Sequence, residues 1–174
     1  MKYLTRDLWE DLQDEAKGKA AAAEWDRNLT AYLKELEELK GRLTEDAAEF
    51  FSKADVHDGH LQRFTLAEPL VEYPDDEEAE PLPQNDPVRV DLAVLDGNAD
   101  WVWRLSYAHV RKAHVEFPTA SPLFYSTGEG LGDWGYHELT DAGGGFLRHE
   151  VLFASGATIV IEFKDLRVKR SAWK

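Results

Sequence analysis

The apolar residues of this 174-residue chain repeat with two different periods, and the change from one to the other constrains the fold more than any other feature. Trp25, Leu29, Tyr32, Leu36, Leu39 and Leu43 are spaced alternately by four and three residues, which puts them on one side of an α-helix. Val88, Val90, Leu92 and Val94 recur at every second residue, as do Trp101, Trp103, Leu105 and Tyr107, the period of a strand with one buried face. Helices therefore segregate to residues 1–53 and strands to residues 56–174. The expected fold is α+β, one domain spanning 1–174 with N-terminal helices packed on a mainly antiparallel β-sheet.

In the helical part, Thr5 is placed to cap a first helix carrying Asp7 and Glu10 in its early turns and Leu8, Trp9 and Leu12 on its apolar side. The Trp25 to Leu43 stripe follows, widened by Leu33, with Glu24, Lys34, Glu35, Glu38 and Lys40 on the opposite, charged face. Gly41 marks the end of this helix, and Thr44 caps a short third one containing Ala47, Phe50 and Phe51. The stripe can cover the domain's own sheet, the expected use, or join two copies as a homodimer; monomer and homodimer both fit.

The β-rich part begins with RFTLAE and is interrupted at 68–87, where five of the seven prolines accompany a run of acids. Such a stretch holds neither ladder nor core, so it reads as an exposed connection inside the domain. VRVDLAVL and DWVWRLSYAHV, separated by the turn residues Asp96, Gly97 and Asn98, form a hairpin. KAHVEF adds a strand with Ala113, Val115 and Phe117 inward. A last hairpin puts Leu147, His149, Val151 and Phe153 on one face, turns at Ser155 and Gly156, and continues with Ile159, Ile161 and Phe163.

Composition narrows the function. Thirty-four acids against 20 bases give a formal charge of −14, which repels phosphate backbones and anionic lipid and favours a basic protein as partner, with no nucleic acid and no membrane. The absence of cysteine rules out disulfides, thiolate zinc sites and thiol nucleophiles. Charges recur through MKYLTRDLWEDLQDE, and no run reaches the roughly 18 to 20 apolar residues that span a bilayer. A cytoplasmic location is expected.

The stretch VHDGHLQRF, Val56 to Phe64, concentrates chemistry at the boundary between the two parts. His57, Asp58 and His60 are candidate metal ligands for zinc or manganese, completed by His109, His114, His137 or His149, and would support metal-assisted hydrolysis. Against this, residues share a strand face only at even separations, so His57 points away from both Asp58 and His60. The competing reading is a turn in which Asp58 accepts backbone hydrogen bonds and Gly59 takes an unusual φ. His137 with Glu138 and His149 with Glu150 are candidate general acid/base pairs, yet neighbours on a strand face apart, and His149 shares the apolar parity of Val151 and Phe153. STGEGLGDWGYHEL, Ser126 to Leu139, has glycines at 128, 130, 132 and 135 but follows no clear strand and carries Glu129 and Asp133, which repel phosphate; no cofactor is expected there. It is a lid offering Trp134 and Tyr136 for stacking, or a long loop anchored to the core by those rings. No GxSxG or HExxH occurs.

The opening MKYLT, the HDG at 57 to 59 leading into a strand, and the closing FLRHEVLFASGATIVIEFKDLRV from Phe146 to Val168 together resemble an uncharacterised family of bacterial cytoplasmic proteins, a domain of unknown function. The resemblance implies helices followed by a sheet and transfers no catalytic residue. HDG and the final hairpin are also similar to parts of small bacterial immunity-type domains. The HD pair resembles that of metal-dependent phosphohydrolases, which carry it on a helix with further helical ligands, whereas the later histidines here fall in strands. The expected function is a non-catalytic protein-binding module, with immunity-like recognition of a basic partner through Asp75 to Glu80 and the charged helix face; the alternative is a metal-dependent hydrolase centred on His57, Asp58 and His60.

Overall fold

The computed structural model describes residues 1–68, 88–117 and 130–173. The acidic, proline-rich stretch at 69–87, with Asp75 to Glu80, and the loop at 118–129 lie outside the described residues. Three helices occupy the N-terminal third: α1 (Arg6–Gln13), α2 (Gly18–Leu39) and α3 (Glu45–Lys53). The two expected caps form. Thr5 Oγ1 accepts from Leu8 N and Thr44 Oγ1 from Ala47 N, each at 3.3 Å, satisfying amides that a helix start leaves unpaired. α2 gives way to a 3-10 turn, Lys40–Arg42, around Gly41.

Eight strands follow: β1 (His60–Ala67), β2 (Arg89–Leu95), β3 (Trp101–Ala108), β4 (Lys112–Glu116), β5 (Trp134–Gly143), β6 (Phe146–Phe153), β7 (Thr158–Phe163) and β8 (Asp165–Ala172). All pairings are antiparallel, but the strands form two four-stranded sheets rather than one, in the orders β1-β2-β3-β8 and β4-β7-β6-β5. The fold is α+β as the two periods require, with the single expected sheet replaced by two that enclose one core.

The sheets meet at two corners. At the first, β3 runs on into β4 while β7 runs on into β8, so the ladder that ends at Ala108 opposite Asp165 resumes at Lys112 opposite Glu162. At the second, Gly59 and Trp134 form an antiparallel bridge in which Trp134 N donates to Gly59 O at 2.7 Å and Asp58 N to Trp134 O at 2.9 Å. Between them the inward faces interdigitate: Tyr107 meets Phe163 edge to face at 4.9 Å. α3 fills one end of this interior, Phe50 against Trp103 at 5.4 Å and Phe51 against His149 at 4.9 Å.

Two bulges make the alternation legible in hindsight. Leu61 and Phe64 lie three apart, yet both pack against the core, because Gln62 is an extra residue between the pairs Leu61–Val94 and Arg63–Ala93. In β5, Gly135 is extra between Trp134–Phe153 and Tyr136–Leu152, so Trp134, His137 and Leu139 reach one face at spacings of three and two. β4 departs from expectation in another way: as a sheet edge it is largely exposed, and Phe117 is 59% exposed rather than inward.

The helical stripe is spent inside the chain. Tyr32, Leu36 and Leu39 are buried, Trp25 and Leu29 half-buried, and Leu33 is 49% exposed. The stripe is narrow because α2 lies along the free edge of β5: Tyr32 Oη accepts from Leu139 N at 3.2 Å, and Glu35 from Asp141 N at 3.2 Å.

Gly135 sits at one of the closest approaches in the fold. A Cβ there would enter the Trp9 ring and stand 2.9 Å from Leu152 O. The substitution Gly135→Ala is expected to lower stability by about 1–3 kcal/mol, as overpacking does, measurable as a fall in the urea midpoint; an unchanged midpoint would show that Trp9 is not seated on this bulge.

Candidate functional site

The HDG segment is built as a splice between the sheets. Val56 is buried, and the chain then turns through Asp58, whose φ is +59°. The left-handed residue is thus Asp58 rather than Gly59, and aspartate is among the few side chains that tolerate it. Gly59 is needed for space: a Cβ would collide with Leu95 O and lie 2.8 Å from Val56 O. Asp58 acts through its backbone N–H, and its exposed carboxylate lies 3.6 Å from His57 Nε2.

Of the three candidate ligands in this segment, His57 and Asp58 lie side by side while His60 turns to another partner. His57 Nδ1 is 2.8 Å from the carbonyl of Gly135, an oxygen that only accepts, so Nδ1 carries the proton and His57 braces the β5 bulge. His60 Nδ1 lies 3.2 Å from Asp133 Oδ1. The other histidines are engaged elsewhere, His109 with Asp165 at 2.7 Å and His114 with Glu116 at 3.6 Å. Among the described residues, no three histidine, aspartate or glutamate side chains come together as a metal site.

The four acid/base candidates do come together, but re-sorted. Register pairs Leu139 with His149 and Glu138 with Glu150, so neighbours in sequence fall on opposite faces. His137 and His149 face the core and touch, Nδ1 to Nε2 at 3.1 Å, and His149 Nδ1 lies 2.6 Å from Tyr107 Oη. One proton arrangement uses only these contacts. Tyr107 O–H donates to His149 Nδ1, and His149 Nε2–H donates to His137 Nδ1. The reverse would leave the Tyr107 hydroxyl proton without an acceptor in the core. Burial pushes the His137 pKa down to about 4 and that of His149 further below its ordinary value, where the neighbouring His137 adds to the effect. Burial also drives Tyr107 well above its usual range. All three are neutral at physiological pH, and Phe50, Phe51 and Trp134 pack around the two imidazoles. The Trp134 Nε1 proton is buried without a partner among the described residues.

On the opposite face Glu138 is fully buried and receives three backbone N–H groups: Lys2 and Tyr3 at 2.8 Å, and Leu4 in a still shorter contact. Its sheet neighbour Glu150 lies 3.3 Å from the Met1 amine. On β7, in register with Arg148, Glu162 is bonded by Arg111 Nε at 2.7 Å and by Arg148 Nη2 at 2.6 Å. Burial alone would raise the Glu162 pKa, but the hydrogen bonds from Arg148 and Arg111 outweigh it and lower the value.

Sequence reasoning missed Tyr107, Tyr32 and Glu35 as polar partners. Tyr107 was visible only as an apolar-parity residue, and Glu35 was assigned to the exposed face. It instead binds Lys2 Nζ at 2.5 Å, Tyr3 Oη at 2.6 Å and Asp141 N. The rings expected either to line a lid or to anchor a loop do the second: Trp134 is wholly buried, and Tyr136 packs between Trp9 at 5.0 Å and Trp25 at 4.5 Å. Surface concavities lie elsewhere. One of about 290 Å³ is lined by Asp46, Glu49, Trp103, Val168, Lys169 and Arg170, and a shallow one of about 690 Å³ runs beside Lys2, Lys34, Glu35 and Arg42. Neither includes a histidine.

The chain is thus a two-sheet α+β protein whose titratable groups of opposite faces knit its own layers. Comparison with family models, curated proteins and solved structures gives no match.

The buried imidazoles set a pH dependence. Their folded pKa values lie below the unfolded value of 6.5, so the unfolded chain takes up protons first; the contribution is intact above pH 6.5 and is lost as pH falls toward about 4. Thermal midpoints are expected to fall from pH 7.5 to pH 5 in wild type and to fall less in a His137→Gln, His149→Gln variant. Parallel behaviour of the two proteins would place the protonating groups elsewhere.

Proposed function

We propose that this chain is a non-catalytic binding protein that recognises a basic protein surface. The observation that carries the reading is the exterior of the helical layer: Glu24, Asp26 and Glu38 on α2 and Glu45 and Asp46 on α3 are exposed and enter no ion pair among the described residues. The candidate acid/base histidines, by contrast, are occupied within the fold, with a proton order that runs from Tyr107 through His149 to His137. Unpaired carboxylates on a chain of charge −14 raise the local concentration of a cationic partner and speed its association, an effect that falls with salt. An immunity-like inhibitor works in this way, by steering clustered acids onto a cationic toxin.

The test is association kinetics with lysine-rich polypeptide as a cationic probe. Wild type is expected to bind with an on-rate that drops steeply between about 20 and 150 mM salt, where the screening length shortens. A Glu24→Gln, Asp26→Asn, Glu38→Gln variant should associate roughly tenfold more slowly. Equal rates for the two proteins would remove the helix face from the reading. Stoichiometric zinc or manganese uptake in calorimetry, lost in His57→Ala, would replace the reading with metal-dependent hydrolysis.

A further inference from the structure

The outer face of the β1-β2-β3-β8 sheet has the opposite sign to the chain as a whole. Register places Arg63, Ala93, Arg104 and Lys169 in one row across the four strands, and Arg167 one repeat along β8 from Lys169. These four cations are exposed and enter no ion pair among the described residues. Arg104 is oriented by donating Nη1–H to Ser171 Oγ at 2.6 Å. The Gln62 bulge is what turns Arg63 to this side while Phe64 stays inward. Several cations elsewhere are tied to acids, Lys2 to Glu35, Arg42 to Asp141, and Arg111 and Arg148 to Glu162.

The acids that share this face are already engaged: Asp91 accepts from Ser106 Oγ at 2.5 Å, and Asp165 lies 2.7 Å from His109 Nδ1 at the corner. Beneath the cations Ala93, Leu95 and Val102 form a small apolar cluster separate from the main core. No helix packs on this face among the described residues. α3 contacts the other side, where Phe50 meets Trp103. Adjacent strands lie about 4.8 Å apart and same-face residues of one strand about 7 Å apart, so Arg104, Lys169 and Arg167 form a compact cationic triangle with Arg63 two strands away.

We propose that this sheet face docks an acidic peptide segment of a partner protein. Guanidinium groups bind carboxylates as planar, bidentate pairs, and the row spacing suits carboxylates on successive residues of an extended segment. Nucleic acid fits less well: the side chains between the cations are small or aliphatic, the exposed ring of Trp173 lying past the end of β8, and a long phosphate backbone would meet the field of a chain carrying −14. A short acidic segment engages the cations within a screening length and avoids most of that repulsion. The surface is separate from the acidic helix face, so the two interactions can succeed or fail independently.

Fluorescence anisotropy with labelled hexaglutamate, hexaserine and hexathymidylate tests it, using wild type and an Arg63→Gln, Arg104→Gln, Lys169→Gln variant whose thermal midpoint confirms folding. Hexaglutamate is expected to bind wild type at about 20 mM salt, to weaken toward 150 mM, and to lose roughly tenfold in affinity in the variant, while hexaserine does not bind. A second variant, Glu24→Gln with Glu38→Gln, should bind hexaglutamate as well as wild type does or better. The proposal is overturned by absent binding, by equal binding to the triple variant, or by tighter, variant-sensitive binding of hexathymidylate. Low-salt self-association in sedimentation velocity that the triple variant abolishes would also overturn it, assigning the face to a second copy.

Discussion

The free edge of β5 is the constraint around which the N-terminal third is arranged. An unpaired strand edge exposes amides and carbonyls and invites pairing with another chain. Here the preceding residues close it. The 57–59 segment takes the amide and carbonyl of Trp134 and the carbonyl of Gly135, and α2 then supplies Tyr32 to Leu139 N and Glu35 to Asp141 N. Residues 2–4 arrive from the other side and hand three amides to Glu138. Helices α1 and α2 therefore do more than cover apolar area. They terminate a sheet, and polar residues on their buried sides are part of that termination.

A fully buried carboxylate is costly unless its charge is met by several donors. Glu138 satisfies that condition with backbone amides, which cannot swing away as a long side chain can. It thereby fixes the path of the N-terminal residues and the placement of Tyr3, whose hydroxyl closes a second loop of bonds through Glu35 to Lys2 and back to β5. The core-side chain of Tyr107, His149 and His137 follows the same logic with neutral groups. A tyrosine on the inward face of one sheet needs an acceptor on the other, His149 supplies it, and its remaining N–H is passed to His137 at the half-buried margin. Such a directional chain spans the two sheets and favours one registration over alternatives that apolar packing alone would tolerate.

The elements with unbroken periods were readable from sequence: both threonine-capped helices, the stripe of α2, the β2–β3 and β6–β7 hairpins, and with them the α+β class. What escaped reading was whatever a bulge or corner displaced. β5 hid inside a glycine-rich stretch because the extra Gly135 breaks its alternation, placing Trp134 and His137 on one face at a spacing of three. The division into two sheets escaped because its corner is a single residue, Lys164, on one strand and a short turn through His109, at φ +53°, on the other. The candidate site was half legible for the same reason. Parity correctly separated His137 from Glu138 and His149 from Glu150, but it could not pair histidine with histidine across strands, since that depends on register.

The distribution of charge follows from this packing. Cations near the inward margins are drawn into pairs that cross layers, Arg42 to Asp141 and Arg170 to Glu49, and Arg148 and Arg111 are both used on Glu162. Bases so consumed cannot neutralise the surface, which leaves exposed carboxylates on the helices, while Arg63, Arg104, Arg167 and Lys169 stay exposed on the outer face of β1-β2-β3-β8. Surface pairs contribute little to stability, in the range of about 0–1 kcal/mol, so folding exerts weak pressure to keep the remaining charges apart or together.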